Sequence, residues 1–116
     1  MSRVAAATLG DLERSGGRRI TALAENEGVS QPAMTGLVQR LEAGGLVHRE
    51  DDPADGRVSL ISITDAGREA LTARRAEQDA ALGAWLERLS PAERELLAAA
   101  APVLLTYPDT EDHAHR

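Results

Sequence analysis

The sequence contains no cysteine, no lysine and no phenylalanine, and Trp85 and Tyr107 are its only aromatic residues. Without cysteine, the chain forms no disulfide and offers no thiolate to a metal or to a redox switch. With so few aromatic residues, the core has to consist of aliphatic side chains and alanine, a composition that favours helices. The 116 residues are enough for one small domain with a modest core.

Further absences concern membranes, metals and catalysis. No apolar run reaches the roughly 18 residues of a membrane-spanning helix, and no signal peptide is recognisable, so we expect a cytoplasmic protein. The histidines, His48, His113 and His115, are too few and too scattered for a metal cluster. No serine lies in a motif that would activate it, and the acidic run at 50–52 is typical of a solvated loop. We therefore expect no enzymatic activity, no metal and no cofactor.

The net charge of −6 is unevenly distributed along the chain. Residues 1–75 contain 10 of the 13 arginines and 11 of the 19 acidic residues, whereas residues 76–116 contain 3 arginines and 8 acidic residues. The first part is therefore close to neutral, and its arginines can form a local positive surface for phosphates. The arginines that flank the segment discussed next are Arg18, Arg19, Arg40, Arg49 and Arg57.

Residues 20–46 are predicted to form two short helices joined by a tight turn. Thr21 opens the first helix, and Gly28 ends it. Ser30 is a favourable N-cap for the second helix, with Pro32 in its first turn, where the missing N–H has no cost. An apolar residue then recurs at helical spacing and predicts one buried stripe. Its members are Met34, Leu37, Val38 and Leu41.

The opposite face of this helix is small and polar. A helix that reads bases in the major groove has to approach them closely, which Pro32 and the neighbouring small residues would permit. Gln31, Thr35, Gln39 and Arg40 would supply donors and acceptors to base edges, and Ser30 would hold a phosphate at the helix N-terminus. The alternative is that these residues only solvate an exposed face.

A β-hairpin is predicted next, with strands at 46–49 and 58–63 and a turn that contains Pro53 and the Asp55-Gly56 pair. Arg57 would lie at its tip, where Asp55 could hold the guanidinium extended for a narrow minor groove. The alternative is an ordinary turn with a surface arginine. A helix-turn-helix followed by such a hairpin is typical of a winged unit that binds duplex DNA, with Arg49 as a further DNA contact.

The remaining helices surround this unit. Ser2 would cap a first helix to about Ser15, with Val4, Leu9 and Leu12 directed inward. Thr64 would cap a long helix to about Arg88, and a capping box at 90–93 opens the last helix. These two helices have little core of their own to cover, which favours a second subunit. The alternative is that they fold back on the same subunit. The stripe expected on the long helix comprises Leu71, Gln78, Leu82, Trp85 and Leu89.

These expectations give a mainly α fold with a small β-hairpin wing: a winged helix-turn-helix plus C-terminal dimerisation helices. We expect the DNA-binding region at 1–64, the dimerisation helices at 65–106 and a disordered acidic tail at 107–116.

Five stretches of the sequence together resemble the MarR family of transcription regulators. The most specific is the wing motif, Asp-Pro-x-Asp-Gly-Arg at 52–57, followed by a strand and by Thr-x-x-Gly at 64–67. The others are the segments 23–25, 29–35 and 40–49 and the residues around 63–67. The resemblance implies a homodimer that binds a pseudo-palindromic double-stranded DNA operator, usually as a repressor. It also implies release from DNA by a small anionic or phenolic effector.

One feature departs from that family. Its members usually have a further helix ahead of the segment that begins here at Ser2, and this helix joins the dimer interface. Either the start of the gene is short, or the protein forms a reduced or rearranged dimer; in both cases we expect an incomplete effector pocket. The alternative function is therefore a truncated regulator, or a protein-interaction module, with weak or no DNA binding.

Overall fold

The computed structural model describes residues 1–106, and this part contains five helices and one two-stranded antiparallel hairpin. None of these five helices could span a lipid bilayer. The predicted tail at 107–116, with His113 and His115, lies outside the described residues. In chain order the elements are α1 (Arg3–Ser15), α2 (Ile20–Glu27), α3 (Gln31–Ala43), β1 (Val47–Asp52), β2 (Asp55–Ile63), α4 (Asp65–Glu87) and α5 (Pro91–Leu104).

Two compact units make up this architecture, Met1–Arg75 and a second one that begins at Ala76, within α4. The core of the first unit is aliphatic, as the composition predicts, and it draws on α1, α2, α3, both strands and the start of α4. Its most deeply buried side chains are Leu9, Leu12, Leu23, Met34, Val38, Ile61 and Thr8.

The N-terminal helix α1 begins where the sequence indicates, because the Ser2 hydroxyl accepts a hydrogen bond from the Ala5 N–H at 3.1 Å. Leu9 and Leu12 are buried, but the expectation that Val4 points inward is wrong, since it is 36% exposed. Ala5 takes the inward position instead, because it lies one helical turn before Leu9 and on the same face.

The hairpin is longer than predicted. Its ladder runs from Val47 opposite Ile63 to Asp52 opposite Asp55, so Pro53 and Ala54 alone form the turn. Aspartate is disfavoured in strands, which is why the sequence did not indicate the outer residues of the ladder. The loop before α2 adds a short bridge, in which the backbone of Arg18 donates to the Ile61 carbonyl at 2.9 Å and accepts from its N–H at 2.7 Å.

The second unit contains the later part of α4 and all of α5. The predicted capping box is confirmed: the Ser90 hydroxyl accepts from the Glu93 N–H, and the Glu93 carboxylate accepts from the Ser90 N–H at 2.8 Å. That bond to the Ser90 N–H is the main cause that holds the pKa of Glu93 below its ordinary value. No residue of α5 is buried. Large apolar side chains are exposed here, namely Leu82, Trp85, Leu86, Leu96, Val103, Leu104 and Leu105.

Candidate nucleic-acid interface

Helix α3 has the two faces that its sequence predicts. The Ser30 hydroxyl accepts from the Ala33 N–H at 3.2 Å, and the Ser30 carbonyl accepts from the Met34 N–H at 3.0 Å, so the helix begins directly after Ser30. Pro32 lies in that first turn. The predicted apolar stripe is confirmed, since Met34, Leu37, Val38 and Leu41 are each at most 8% exposed. One side of α3 is therefore fixed in the core and the other remains for contacts.

The polar residues proposed to read bases lie on that other face. Gln31, Pro32, Gln39 and Arg40 are exposed, and Thr35 is half-buried. Gly36 lies between them, and a Cβ added there would lie 3.4 Å from Nη1 of Arg40. The guanidinium of Arg40 therefore lies along the helix surface over Gly36, beside a hollow of about 260 Å³ that Ala33, Val29 and Val4 also line.

In the hairpin, Arg57 is the third residue of β2 and follows the tip, which Pro53 and Ala54 form; it does not lie at the tip itself. The strands continue past the predicted ends, and this places Arg57 on the ladder. Its side chain is 91% exposed, the condition that a contact with a separate molecule requires. The hairpin thus presents an extended guanidinium close to its outer end.

Asp55 holds Arg57 through three hydrogen bonds, as the sequence suggests. Its Oδ1 accepts from the backbone N–H of Arg57 and from Nε, both at 3.1 Å, and its Oδ2 accepts from Nη2 at 3.3 Å. The guanidinium is the main cause that holds the pKa of Asp55 below its ordinary value. Because the Asp55 carboxylate accepts hydrogen bonds from both the main chain and the guanidinium of Arg57, the direction of the Arg57 side chain is restricted.

A second arginine contact in the wing was not foreseen from the sequence. Oδ2 of Asp52 accepts from Nε of Arg19 at 2.8 Å and lies 2.5 Å from its Nη2. Oδ1 of the same carboxylate accepts from the Ala54 N–H at 2.8 Å. These bonds, with that from Ala54 first, hold the pKa of Asp52 below its ordinary value. The two residues are 33 positions apart, so only the Asp-Pro turn pattern around Asp52 could have drawn attention to them.

The remaining predicted contact, Arg49, is also bound within the protein. Its Nε donates to Oε1 of Glu42, near the end of α3, at 3.1 Å, and its side chain is 31% exposed. This pair ties β1 to α3. The guanidinium of Arg40, in contrast, makes no ion pair or hydrogen bond with any of residues 1–106. Most arginines around α3 and the hairpin therefore face a carboxylate of the chain itself, which lowers their net attraction for phosphate.

The described residues contain no candidate metal centre. Within 1–106, no three histidine, aspartate or glutamate side chains are grouped so that they could hold a metal ion. In the second unit, a hollow of about 230 Å³ is lined by Trp85, Leu89, Glu93, Leu96 and Leu97, and its surface is mainly apolar. The polar exposed face of α3 and the arginine-bearing hairpin are thus the features that suggest a ligand with phosphates and base edges.

Comparisons with known proteins support the interpretation of α3 and the hairpin as a nucleic-acid interface. A model of the MarR family matches residues 1–59, the segment from α1 into β2. An HTH-type transcriptional regulator of Mycobacterium tuberculosis is 36% identical over 88 residues, which are 76% of this chain and 62% of the relative. The chain therefore spans less than two thirds of the length of this curated relative.

Solved structures share the fold. The YusO protein from Bacillus subtilis superposes with a TM-score of 0.82 at 25% identity, over 93% of this chain and 77% of that one. A variant of MepR from S. aureus, bound to an oligodeoxyribonucleotide, gives a TM-score of 0.71 at 24% identity, over 91% of this chain and 78% of that one. The predicted fold class, mainly α with a small β wing, is confirmed.

Proposed function

The chain belongs to the MarR family of winged helix-turn-helix transcription regulators, and on that premise we propose that it binds duplex DNA sequence-specifically, as a homodimer, to regulate transcription. The observation that carries this proposal is the combination of an exposed polar α3 with a hairpin that holds Arg57 almost fully exposed. The three bonds from Asp55 restrict the direction of the Arg57 side chain, which would lower the entropy lost when it binds DNA.

The two elements would have different tasks on DNA. In α3, Gln31, Thr35, Gln39 and Arg40 would contact base edges in the major groove, with Pro32 allowing a close approach. The Ser30 hydroxyl and the Gln31 N–H beside it would hold a phosphate. In the wing, Arg57, held by Asp55, would enter the minor groove and respond to its width, and Arg49 would contact the backbone.

A homodimer is proposed because the second unit has no buried residue in α5 and exposes several large apolar side chains. An apolar surface of that kind marks an interface in soluble proteins. Two copies related by a two-fold axis would present two α3 helices to half-sites about one helical turn apart, which explains why a pseudo-palindromic operator is expected.

We further propose that the protein acts as a repressor and that a small anionic or phenolic effector releases it from DNA. The support is membership of the family alone. Titrating benzoate and phenol into a preformed complex tests this part separately. Release that increases with ligand concentration is expected, whereas an unchanged complex at every concentration would remove the effector from the proposal and leave DNA binding standing.

The central experiment measures binding to the DNA upstream of the gene by fluorescence anisotropy at several salt concentrations. We expect tight binding that weakens steeply as salt rises, because cations are released from phosphates. Arg57→Ala should lower affinity for this DNA by about tenfold or more. Arg68→Ala is the matched control, because Arg68 is also exposed and paired with a carboxylate but belongs to α4 and not to the wing.

Base reading by α3 is tested with Gln39→Ala and Arg40→Ala on a set of operators with single base changes. Loss of a specific base contact is worth about 1–3 kcal/mol and should appear at one position of each half-site. Thr72→Ala, which changes an exposed polar residue of α4 outside the stripe expected at the dimer interface, is the control. Unchanged affinity and unchanged base preference in both α3 variants would show that α3 does not read the sequence.

The second candidate function is a protein-interaction module that forms dimers without gripping DNA. The exposed apolar side chains of the second unit favour it as much as they favour a DNA-binding homodimer. The two functions separate at low salt, where a DNA-binding protein retains its non-specific affinity and a module of this kind has none.

A further inference from the structure

The contact between Arg19 and Asp52 joins the start of α2 to the outer end of the hairpin. Both donors of the guanidinium edge, Nε and Nη2, lie at one carboxylate oxygen, at 2.8 and 2.5 Å. The other oxygen accepts from the Ala54 N–H at 2.8 Å and so fixes the hairpin turn. Asp52 is only 8% exposed, whereas Asp51 beside it is exposed. The carboxylate of Asp52 therefore serves two elements at once.

The outer half of the hairpin needs such an anchor. A two-stranded hairpin has little stability by itself, and one face has to pack on other elements to order it. The inner half meets this condition, because Val47, Ile61 and Ile63 are buried and the backbone of Arg18 bridges to Ile61. Between the turn and Ile61, the β2 residues are half-buried or exposed, and Asp52 is the buried residue nearest the turn.

The contact leads directly to the residue proposed to enter the minor groove. Asp52 and Asp55 are opposite each other at the end of the ladder, with Pro53 and Ala54 between them. Asp55 in turn holds both the backbone and the side chain of Arg57. An unbroken series of contacts therefore runs from Arg19 through Asp52 and the turn to Asp55 and Arg57.

We propose that Arg19 and Asp52 are positioning residues for DNA binding: their ion pair fixes the outer half of the wing, so that Arg57 is presented to the minor groove in one direction. This inference rests on the proposed function and adds two residues to it. Arg19 acts through Asp52 and does not need to contact DNA. A fixed wing lowers the conformational entropy that is lost when the guanidinium enters the groove.

A direct role for Arg19 is the rival explanation. Its side chain is 43% exposed, so the guanidinium could leave Asp52 and bind a phosphate. The two explanations give opposite results for Asp52→Asn. If Arg19 binds phosphate, removing the competing carboxylate leaves the affinity for DNA equal or increases it. If the pair positions the wing, the same substitution weakens binding, although it removes a negative charge from a DNA-binding protein.

The experiment therefore compares Asp52→Asn with Asp51→Asn, which makes the same change of charge at the neighbouring exposed residue. Asparagine retains an oxygen for the Ala54 N–H, so the turn bond is kept and the contact with Arg19 is lost. We expect Asp52→Asn to weaken operator binding by about three- to tenfold. Asp51→Asn should bind as the wild type does, or slightly more tightly. Equal or tighter binding by Asp52→Asn overturns the proposal.

Arg19 itself is tested in two backgrounds. Arg19→Gln should weaken operator binding to about the same extent as Asp52→Asn, and the salt dependence should not change, because no phosphate contact is lost. In an Arg57→Ala background, Arg19→Gln should have no further effect, since it acts through Arg57. A full additional loss in that background, with a salt slope lower by about one, would assign Arg19 to a phosphate and exclude the positioning role.

A readout without DNA separates this inference from the proposed function. Amide hydrogen exchange of residues 54–60 should be faster in Asp52→Asn and Arg19→Gln than in the wild type, whereas Asp51→Asn should leave it unchanged. Unchanged exchange in all three variants would show that the pair does not order the wing. If the wild type fails to bind DNA while exchange responds as expected, the proposed function is wrong and the pair is a purely structural anchor of the hairpin.

Discussion

Gly67 packs directly against the carbonyl oxygen of Leu46, and a Cβ on Gly67 would overlap that oxygen and approach Ile63. Thr64 makes this close contact possible. Its backbone N–H donates to the same Leu46 carbonyl at 3.1 Å, its hydroxyl donates to the Gly45 carbonyl at 2.6 Å, and the hydroxyl accepts from the Gly67 N–H at 3.0 Å. The first turn of α4 is thereby fixed to the segment that joins α3 to β1.

Gly67→Ala should therefore destabilise the protein. The added methyl group meets backbone, which cannot move aside without shifting α4 or the start of β1. We expect a loss of about 1–3 kcal/mol in the free energy of unfolding, and a Tm lower by roughly 5–15 °C. Thermal and chemical denaturation followed by circular dichroism measure both quantities.

Gly83→Ala is the control for this prediction within the same helix. A Cβ at Gly83 would meet no atom within 4 Å. Since alanine is the better helix former, this variant should be stabilised by roughly 0.5–1 kcal/mol. Equal changes in the two variants would mean that helix propensity, and not the contact with Leu46, determines the result.

The contacts of Thr64 and Gly67 show which features of the fold can be predicted from the sequence and which cannot. The Thr-x-x-Gly pattern indicates the start of α4, and the apolar spacing in α3 indicates its buried face, because both depend on residues a few positions apart. The close packing of Gly67 on Leu46 depends on the tertiary contact between α4 and the segment that joins α3 to β1. The prediction that Val4 points inward was wrong for the same reason. Its position on α1 does not show which elements pack against that helix.

Within the candidate site, the sequence predicts the local contacts and misses the distant ones. The pair of Asp55 and Arg57 was foreseen, because the two residues are only two positions apart in the sequence. The pairs of Arg19 with Asp52 and of Arg49 with Glu42 were not, because acidic and basic residues are numerous and only the fold selects partners. Arg49 was predicted to contact DNA because it is an arginine next to the hairpin. Its contact with the carboxylate of Glu42 could not be predicted from the sequence.

That contact leads to a prediction for Glu42. If Arg49 contacts the DNA backbone, it has to leave Glu42 or share its donors with a phosphate. Glu42→Gln should therefore raise the affinity for DNA by about two- to fivefold, because the guanidinium becomes more available. The gain should be absent when Arg49→Ala is present as well, and anisotropy titrations of the four proteins measure it. A gain that persists in the Arg49→Ala background would come from the overall charge alone.

The contribution of Asp52 to the stability of the hairpin should be lost in acid. The pKa of Asp52 is held below its ordinary value of 3.8, first by the Ala54 N–H and then by Arg19. A lowered folded-state pKa adds stability that is present above the ordinary value and is lost as the pH falls through the folded value. The difference in unfolding free energy between wild type and Asp52→Asn should therefore be constant from pH 7 to 5 and shrink below about pH 4. Urea denaturation at each pH measures it.

Glu27 should show the opposite pH dependence. Burial is the main cause that raises its pKa above the ordinary value of 4.5, and the charge of Asp11 adds to this effect. A raised carboxyl pKa means that the folded state disfavours the charged form, so stability is lost as the pH rises through the folded value. Glu27→Gln should therefore become more stable than the wild type between about pH 4 and 7. The same urea series tests it, and parallel curves would contradict it.

Dimerisation through the second unit gives the last prediction. Trp85, the only tryptophan, is 44% exposed in the single chain, and Leu96 is 70% exposed; both line the same apolar hollow. If a second copy covers this surface, the emission of Trp85 should shift to the blue as the protein concentration rises, because the ring loses water.

Leu96→Glu should prevent that shift and give a monomer by light scattering, since a buried unpaired carboxylate is costly. Thr72→Glu adds the same charge at an exposed position of α4 and should leave the dimer intact. A monomer at all concentrations in the wild type would exclude the homodimer, and with it the simultaneous contact with two half-sites that the proposed operator requires.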